Sequence, residues 1–546
     1  MNRYVGQDSC TFQAVFLAFA TVLMASAALA ADASIWKVAP PPPASWQSGR
    51  VADLTARRQA LAAQIGINGI LILHAAEPRN YSGDVDWPFR QENDFYYLTA
   101  IPQTGSTLVL IPGGDTVREI LFLPPSNPAQ ETWTGHLLTP AEARAISGIH
   151  EVWDARRYPE FLEALIPASK SIFDDARRAA EAAEKAAGGS GSRAVKTSPP
   201  PIPVELAHEF SAVIHAVAAN NATLYTIAHG SAAEYGREQE FARKLAALAP
   251  GLAIKDITPV LAKMRTLKSP RELDILEQAV AITAEAFQRV YALAGPGKPE
   301  YEIEAQFELT YLRRNAHWGY PPIVGSGANA TTLHYETNRD TMHAGDLLLM
   351  DSAAEFDGYS ADVTRTIPVS GRYSEPQAAI YRLVWNAQHA GIAQLVAGHT
   401  GADAMRAVNQ VLGPGLFRLG LVTDPENLQQ IRVWSIHGIS HGIGLNVHDP
   451  GSGELAPGMV VTMEPGLYFR ADALDNLPKT PENEKFIAAV RPAFEKYKNI
   501  GVRIEDDVLI TNRKPEVISS AIPSRLEDVE AAIAQLHKAL RNSPLP

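Results

Sequence analysis

Two aspartates, Asp351 and Asp362, lie in the stretch MDSAAEFDGYSADVTRT, directly after the apolar run Leu347-Leu348-Leu349. A buried strand is a poor place for an unpaired carboxylate, because the charged form is costly to desolvate. Asp357-Gly358 between two alternating runs predicts a two-residue hairpin turn. Phe356 then faces Tyr359, Ala353 faces Asp362, and Asp351 faces Thr364. Side chains two apart on a strand share a face, so Asp351, Ala353, Asp362 and Thr364 point the same way. The aspartates become diagonal cross-strand neighbours. Carboxylates that close repel, and a hard divalent cation between them removes the conflict. Taken alone, the pair also fits a solvated strand face.

Other segments carry matching chemistry. HGISHGIGLNVHD holds His437, His441 and His448. Its glycines, Gly438, Gly442 and Gly444, argue against a helix and let backbone approach a ligand closely. Imidazole is the commonest metal-ligating side chain. In GMVVTMEPGLYF, Glu464 ends an apolar strand before Pro465-Gly466. In GVRIEDDVLIT the alternation puts Arg503, Glu505 and Asp507 on one face. Two aspartates, two glutamates and a histidine make an oxygen-rich site able to hold two metal ions. Such a pair can polarise a carbonyl and generate a nucleophile from water near neutral pH.

The ordered set Asp351, Asp362, His441, Glu464 and Glu505 resembles the ligand signature of the pita-bread metallopeptidases. Methionine aminopeptidase, Xaa-Pro dipeptidase and Xaa-Pro aminopeptidase belong to that family. FRQENDFYYLTAIPQTGSTLVLIP resembles the N-terminal domain of aminopeptidase P and prolidase, which methionine aminopeptidase lacks. The resemblance implies two divalent ions, manganese first, with cobalt or zinc also compatible. It implies that Asp351, Asp362, His441, Glu464 and Glu505 bind them, with Asp362 and Glu505 bridging. Glu464 would also take the proton from the attacking water. His334 would lie near the scissile bond, and His437 and His448 would orient substrate and stabilise the tetrahedral intermediate. Arg503 would hold a ligand carboxylate, and Thr364 would touch a metal or an aspartate. The implied activity is removal of the N-terminal residue from peptides with proline second. The alternative is an Xaa-Pro dipeptidase, and a remote one is a non-catalytic peptide-binding relative. Asp351-Ser352-Ala353 stands where the family commonly has Asp-Ala-Gly.

The elements that must position these residues fall into two regions. The implied fold is an α/β N-terminal domain plus an α+β pita-bread (creatinase/aminopeptidase) catalytic domain. Residues 46–256 alternate helical patterns such as VADLTARRQALAAQIG with short apolar strands such as GILILHA. A polar, Gly/Ser- and Pro-rich stretch at 179–203 reads as a flexible insertion. The catalytic region spans 257–525, and Ser269-Pro270-Arg271-Glu272 predicts a capped helix start. Residues 470–499, long and charged, predict a lid or a surface excursion. A C-terminal helix and tail occupy 526–546.

Gly438-Ile439-Ser440-His441-Gly442 also fits G-x-S-x-G, the nucleophile elbow of serine hydrolases. That motif needs a helix directly after the serine, and HGIGLNVHDPGSG cannot form one. No HExxH pattern occurs.

Residues 1–30 combine Arg3, an apolar stretch and Ala28-Leu29-Ala30, which reads as a secretory signal. A Pro-rich linker fills 31–45. The sole cysteine, Cys10, falls in that leader, which removes thiol chemistry from the exported chain. A net charge of −12 argues against nucleic acid as a partner. The expectation is an exported protein, periplasmic or secreted, without a membrane span after signal removal. By resemblance it is a homo-oligomer, dimer or tetramer, acting on Xaa-Pro peptides.

Overall fold

Apolar runs bounded by turn residues become strands, and the longer 3.6-period patterns become helices. The computed structural model describes residues 36–113, 116–173, 210–230, 232–451 and 453–542. The leader at 1–30 and the insertion at 179–203 lie outside the described residues. The chain divides into two units, residues 43–274 and residues 275–542 with 36–42.

In the first unit, six strands form one sheet: β1 (Gly69–His74), β2 (Thr107–Gly113), β3 (Thr116–Leu123), β4 (Glu151–Asp154), β5 (Thr223–Thr226) and β6 (Ala253–Asp256). Their order is β4-β3-β2-β1-β5-β6. β1 pairs antiparallel with β2 and parallel with β5, so the sheet is mixed. β1 is buried along its whole length, which explains its unbroken apolar run. Ile70, Ile72, Val109 and Phe122 pack with Phe161, Leu162 and Leu245 from the covering helices.

The sequence set the boundary between regions at 256, whereas packing sets it at 274. The helix Thr258–Thr266 carries Arg265, which forms a buried 2.7 Å ion pair with Asp94. Arg271 donates from Nε to the Trp46 carbonyl at 2.9 Å. Part of the Pro-rich stretch is described, from residue 36 onward. Lys37 and Ala39 donate backbone N–H groups to Gln288 and Glu285, and Gln278 donates to the Pro40 carbonyl. These contacts tie residues 37–40 to the second unit.

The second unit is α+β. Its central ladder joins β7 (Ile323–Ser326), β8 (Leu347–Asp351) and, beyond β9 (Ala354–Phe356) and β10 (Tyr359–Ser360), β11 (Thr364–Pro368). β8 and β11 pair with Asp351 opposite Thr364, and β9 and β10 pair with Phe356 opposite Tyr359. The predicted hairpin register therefore holds on both sides of the aspartates. Asp357 and Gly358 both take positive φ, +49° and +84°, as a tight hairpin turn requires.

Two further strand pairs complete the scaffold. β12 (Val460–Met463) lies against β15 (Asp506–Leu509), and β13 (Gly466–Tyr468) against β14 (Gly501–Arg503). Val461, Met463, Leu467, Val502, Ile504 and Val508 share one core with the helices Glu375–Ile392 and Gly401–Arg418. The 470–499 segment is not a lid. It contains the helix Pro481–Tyr497, whose Phe486, Val490 and Phe494 recur every fourth residue and are buried in that core. The C-terminal helix, Leu526–Asn542, belongs to the same unit, with Leu526 in that core.

Candidate metal centre

Each ligand candidate sits at a strand end or on a hydrogen-bonded turn. Asp351 closes β8, and Asp362 lies in the short link before β11. Glu464 follows β12 and donates its N–H to the Ile439 carbonyl at 2.9 Å. Glu505 lies between β14 and β15 and donates its N–H to the Thr364 carbonyl at 3.1 Å. His441 is clamped to Thr462 in β12, receiving its N–H at 2.8 Å and donating its own to Oγ1 at 3.1 Å. The glycine-rich segment stays non-helical because Gly442 bridges to Asp449 and Val461. A Cβ at Gly442 would lie 2.8 Å from the Asp449 carbonyl oxygen, so only glycine fits that approach.

These elements bring the five residues together. Donor atoms of Asp362, His441 and Glu505 lie within 4.8 Å of one another. His441 Nε2 is 3.4 Å from Asp362 Oδ2 and 3.5 Å from Glu464 Oε1. Asp351 and Asp362 both accept from the Tyr320 hydroxyl, each at 2.6 Å, so one phenol spans the pair. Thr364 donates to Glu505 Oε2 at 2.6 Å and accepts from Arg503 Nε at 3.0 Å. Arg503 also reaches Asp351 Oδ2 at 2.5 Å and the Tyr468 hydroxyl at 2.9 Å. The Tyr468 hydroxyl in turn meets His437 Nε2 at 2.8 Å.

The charge balance of this cluster points to cations. Four carboxylates face one guanidinium and one imidazole. Burial, opposed by Arg503 but reinforced by Asp362, holds Asp351 above the usual carboxylate range. Burial and the charges of Asp362 and Asp351 push Glu464 up to about 8, against the pull of His441 and Arg503. Burial and the neighbouring acids drive Glu505 well up. Burial opposes the charge on His441, yet Asp362 and Glu464 raise it to about 9. Asp507, raised by burial and by Asp362, keeps Oδ1 buried without a hydrogen-bond partner among the described residues. Hard oxygen donors in surplus over positive charge are what divalent ions would neutralise.

The other histidines ring this cluster. Burial and the Arg503 charge lower His437 to about 4, so it stays neutral at pH 7. His448 is exposed, its ring 4.2 Å from that of His441, and burial together with His441 lowers it. His334 is exposed and near enough for its charge to act on both. Sequence reasoning missed Tyr320 and Tyr468. Neither spacing nor residue type marks them, because each acts through a single hydroxyl whose partners lie far away in sequence.

Residues 274–512 match metallopeptidase family M24, and residues 54–173 match the aminopeptidase P N-terminal domain. The chain is 30% identical to the Xaa-Pro aminopeptidase of Haemophilus influenzae over 87% of this chain and 95% of that protein. It is also 30% identical to the Xaa-Pro aminopeptidase of Escherichia coli K12, over 88% and 97%. Aminopeptidase P from E. coli, solved with the inhibitor Pro-Leu, superposes with a TM-score of 0.70 at 28% identity, covering 89% of this chain and 99% of that one. Zn-substituted E. coli aminopeptidase P in complex with product gives the same score and identity, covering 89% and 98%. These likenesses span both units, and the chain belongs to metallopeptidase family M24, alongside the Xaa-Pro aminopeptidases.

Proposed function

We propose that this chain removes the N-terminal residue from peptides whose second residue is proline, in a reaction that depends on divalent metal. The observation that carries this reading is the convergence of Asp351, Asp362, His441, Glu464 and Glu505 on one buried, acid-rich cluster. The relatives named above are aminopeptidases, which favours this activity over the dipeptidase alternative.

The residue roles are those that the family resemblance implies, and the clustering of these side chains supports them. Asp351, Asp362, His441, Glu464 and Glu505 would hold two divalent ions. Ions bound there would supply Lewis-acid polarisation of a carbonyl and a more acidic water. Glu464, 3.5 Å from His441 Nε2, accepts the proton of the attacking water. His437 is neutral; its one N–H, on Nδ1, goes to the Gly438 carbonyl at 2.5 Å, so Nε2 accepts from the Tyr468 hydroxyl and orients that phenol without adding charge. His448, whose ring lies 4.2 Å from that of His441, and His334, both exposed, orient the substrate. Arg503 and Thr364 fix Asp351 and Glu505 from behind.

Manganese is the first choice of metal, because four carboxylates and one imidazole form a hard donor set; cobalt and zinc are the other candidates. The same reading includes export behind the leader at 1–30, to the periplasm or the medium, and assembly as a homo-oligomer. No helix among the described residues is long and apolar enough to cross a membrane.

The deciding experiment incubates the purified chain, loaded with manganese, with Arg-Pro-Pro, Gly-Pro and Arg-Ala-Ala, followed by mass spectrometry. Release of Arg from Arg-Pro-Pro alone is the expected result. Cleavage of Gly-Pro alone would make the protein a dipeptidase, and release of Arg from Arg-Ala-Ala would remove the proline requirement.

A further inference from the structure

A cleft of about 280 Å³ opens beside the catalytic cluster, within the same unit. Tyr468 forms part of its wall, and the hydroxyl of that residue already binds His437 and Arg503. Ile436, one residue before His437, lines it too, with Val433 and Leu477 adding apolar surface. Two guanidinium side chains, Arg432 and Arg470, also line it. They differ in one respect. Arg470 is forked onto Asp472 through two 3.1 Å hydrogen bonds. Arg432 sits exposed at the end of the helix Leu428–Arg432, and among the described residues no acid pairs with it.

We propose that this cleft receives the substrate residue that follows proline and selects a carboxylate there, with Arg432 as its partner. The inference rests on the function proposed above and specifies the class of peptide that the site prefers. Three observations carry it. The cleft borders the cluster at buried Tyr468, and exposed Ile436 in its lining directly precedes His437, so the cleft lies next to the site in space and in sequence. Its apolar wall suits the methylenes of a glutamate or the body of a C-terminal residue. Its one unpaired charge is positive, on a chain whose net charge is −12. A guanidinium fork matches a carboxylate's geometry, whereas a lysine in the same place would meet like charge. The carboxylate can come from an acidic side chain or from the free C-terminus of a tripeptide.

The test uses the full chain loaded with manganese and measures binding by calorimetry, so that it stands apart from turnover. The probes are Pro-Glu-amide, Pro-Ala, Pro-Ala-amide and Pro-Lys-amide. Wild type should bind Pro-Glu-amide, Pro-Ala or both more tightly than the uncharged Pro-Ala-amide, and which of them gains identifies the source of the carboxylate. Arg432→Gln should weaken only the favoured probe, by about threefold to fivefold, as a partly exposed ion pair allows. Arg432→Glu should reverse the order in favour of Pro-Lys-amide. Equal binding of all four probes by wild type, or an Arg432→Gln variant that keeps the wild-type preference, overturns the proposal. Failure to cleave Arg-Pro-Pro would instead overturn the function on which it rests.

Discussion

Arg503 donates from Nη2 to Asp351 Oδ2 at 2.5 Å across 152 residues of sequence, and both partners are buried. The pair joins the end of β14 to the end of β8, so the link that carries Glu505, directly after β14, is fixed against the strand that carries Asp351. Removing one partner of a buried pair leaves the other uncompensated. Arg503→Met should lower metal affinity by about 10- to 100-fold, as loss of a residue supporting a ligand does. Titration calorimetry with manganese checks this, and unchanged affinity would show that Asp351 needs no such support.

Asp362 stands at the centre of the cluster, contacting Tyr320 and His441 and repelling its acidic neighbours. Asp362→Asn should cut activity by more than about 100-fold, beyond what loss of an outer support costs. The same change removes one of several crowded charges from the metal-free protein. Its metal-free melting temperature should therefore equal or exceed that of metal-free wild type. A sharp fall in melting temperature with loss of circular dichroism would assign Asp362 a folding role instead.

Tyr320 bridges the two aspartates through one hydroxyl. Tyr320→Phe keeps the ring and deletes the bridge. The variant should fold normally and bind manganese about tenfold more weakly, at the low end of the range for residues that orient ligands. Metal content after dialysis against graded chelator reads this directly. Full retention of metal would make the hydroxyl incidental.

Metal binding should release protons. In the metal-free protein His441 is raised to about 9 and Glu464 to about 8, so both are largely protonated at pH 7. Ligation needs neutral imidazole and ionised carboxylate, so each gives up its proton on binding. Apparent affinity should rise with pH from 6 to about 9 and level off beyond. Calorimetry at pH 7 in buffers of different ionisation enthalpy should count about two protons released when the whole centre fills. A count of zero would contradict the raised values.

Gly501 opens β14, and a Cβ there would lie 2.0 Å from the backbone oxygen of Ala330. Gly501→Ala must push apart β14 and the turn Gly327–Thr331, which precedes His334. Overpacking of this kind costs about 1–3 kcal/mol. Chemical denaturation measures the loss, and activity should fall with it because Arg503 and His334 shift together.

Much of this was legible in the sequence, for identifiable reasons. The register of Asp351 and Asp362 followed from one hairpin turn and the two-residue period of strands, both local properties. The capping box at Ser269 and Glu272 appears as read, with hydrogen bonds of 2.8 and 3.2 Å, because a cap involves only four neighbouring residues. The boundary at 274 depended on Arg265 meeting Asp94, 171 residues away, which no local pattern encodes. The helix Pro481–Tyr497 was hidden by its charged outer face, although Phe486, Val490 and Phe494 carried the period.

The sequence by itself determined which residues could do chemistry, because carboxylate and imidazole types at strand ends and glycine-rich turns are local facts. Only the tertiary structure decided that Asp351, Asp362, His441, Glu464 and Glu505 share one pocket, and that Tyr320, Tyr468 and Arg503 hold them there. Hydrogen bonds and charge act over a few ångströms of space, whatever the separation along the chain, and packing alone brings those atoms within reach.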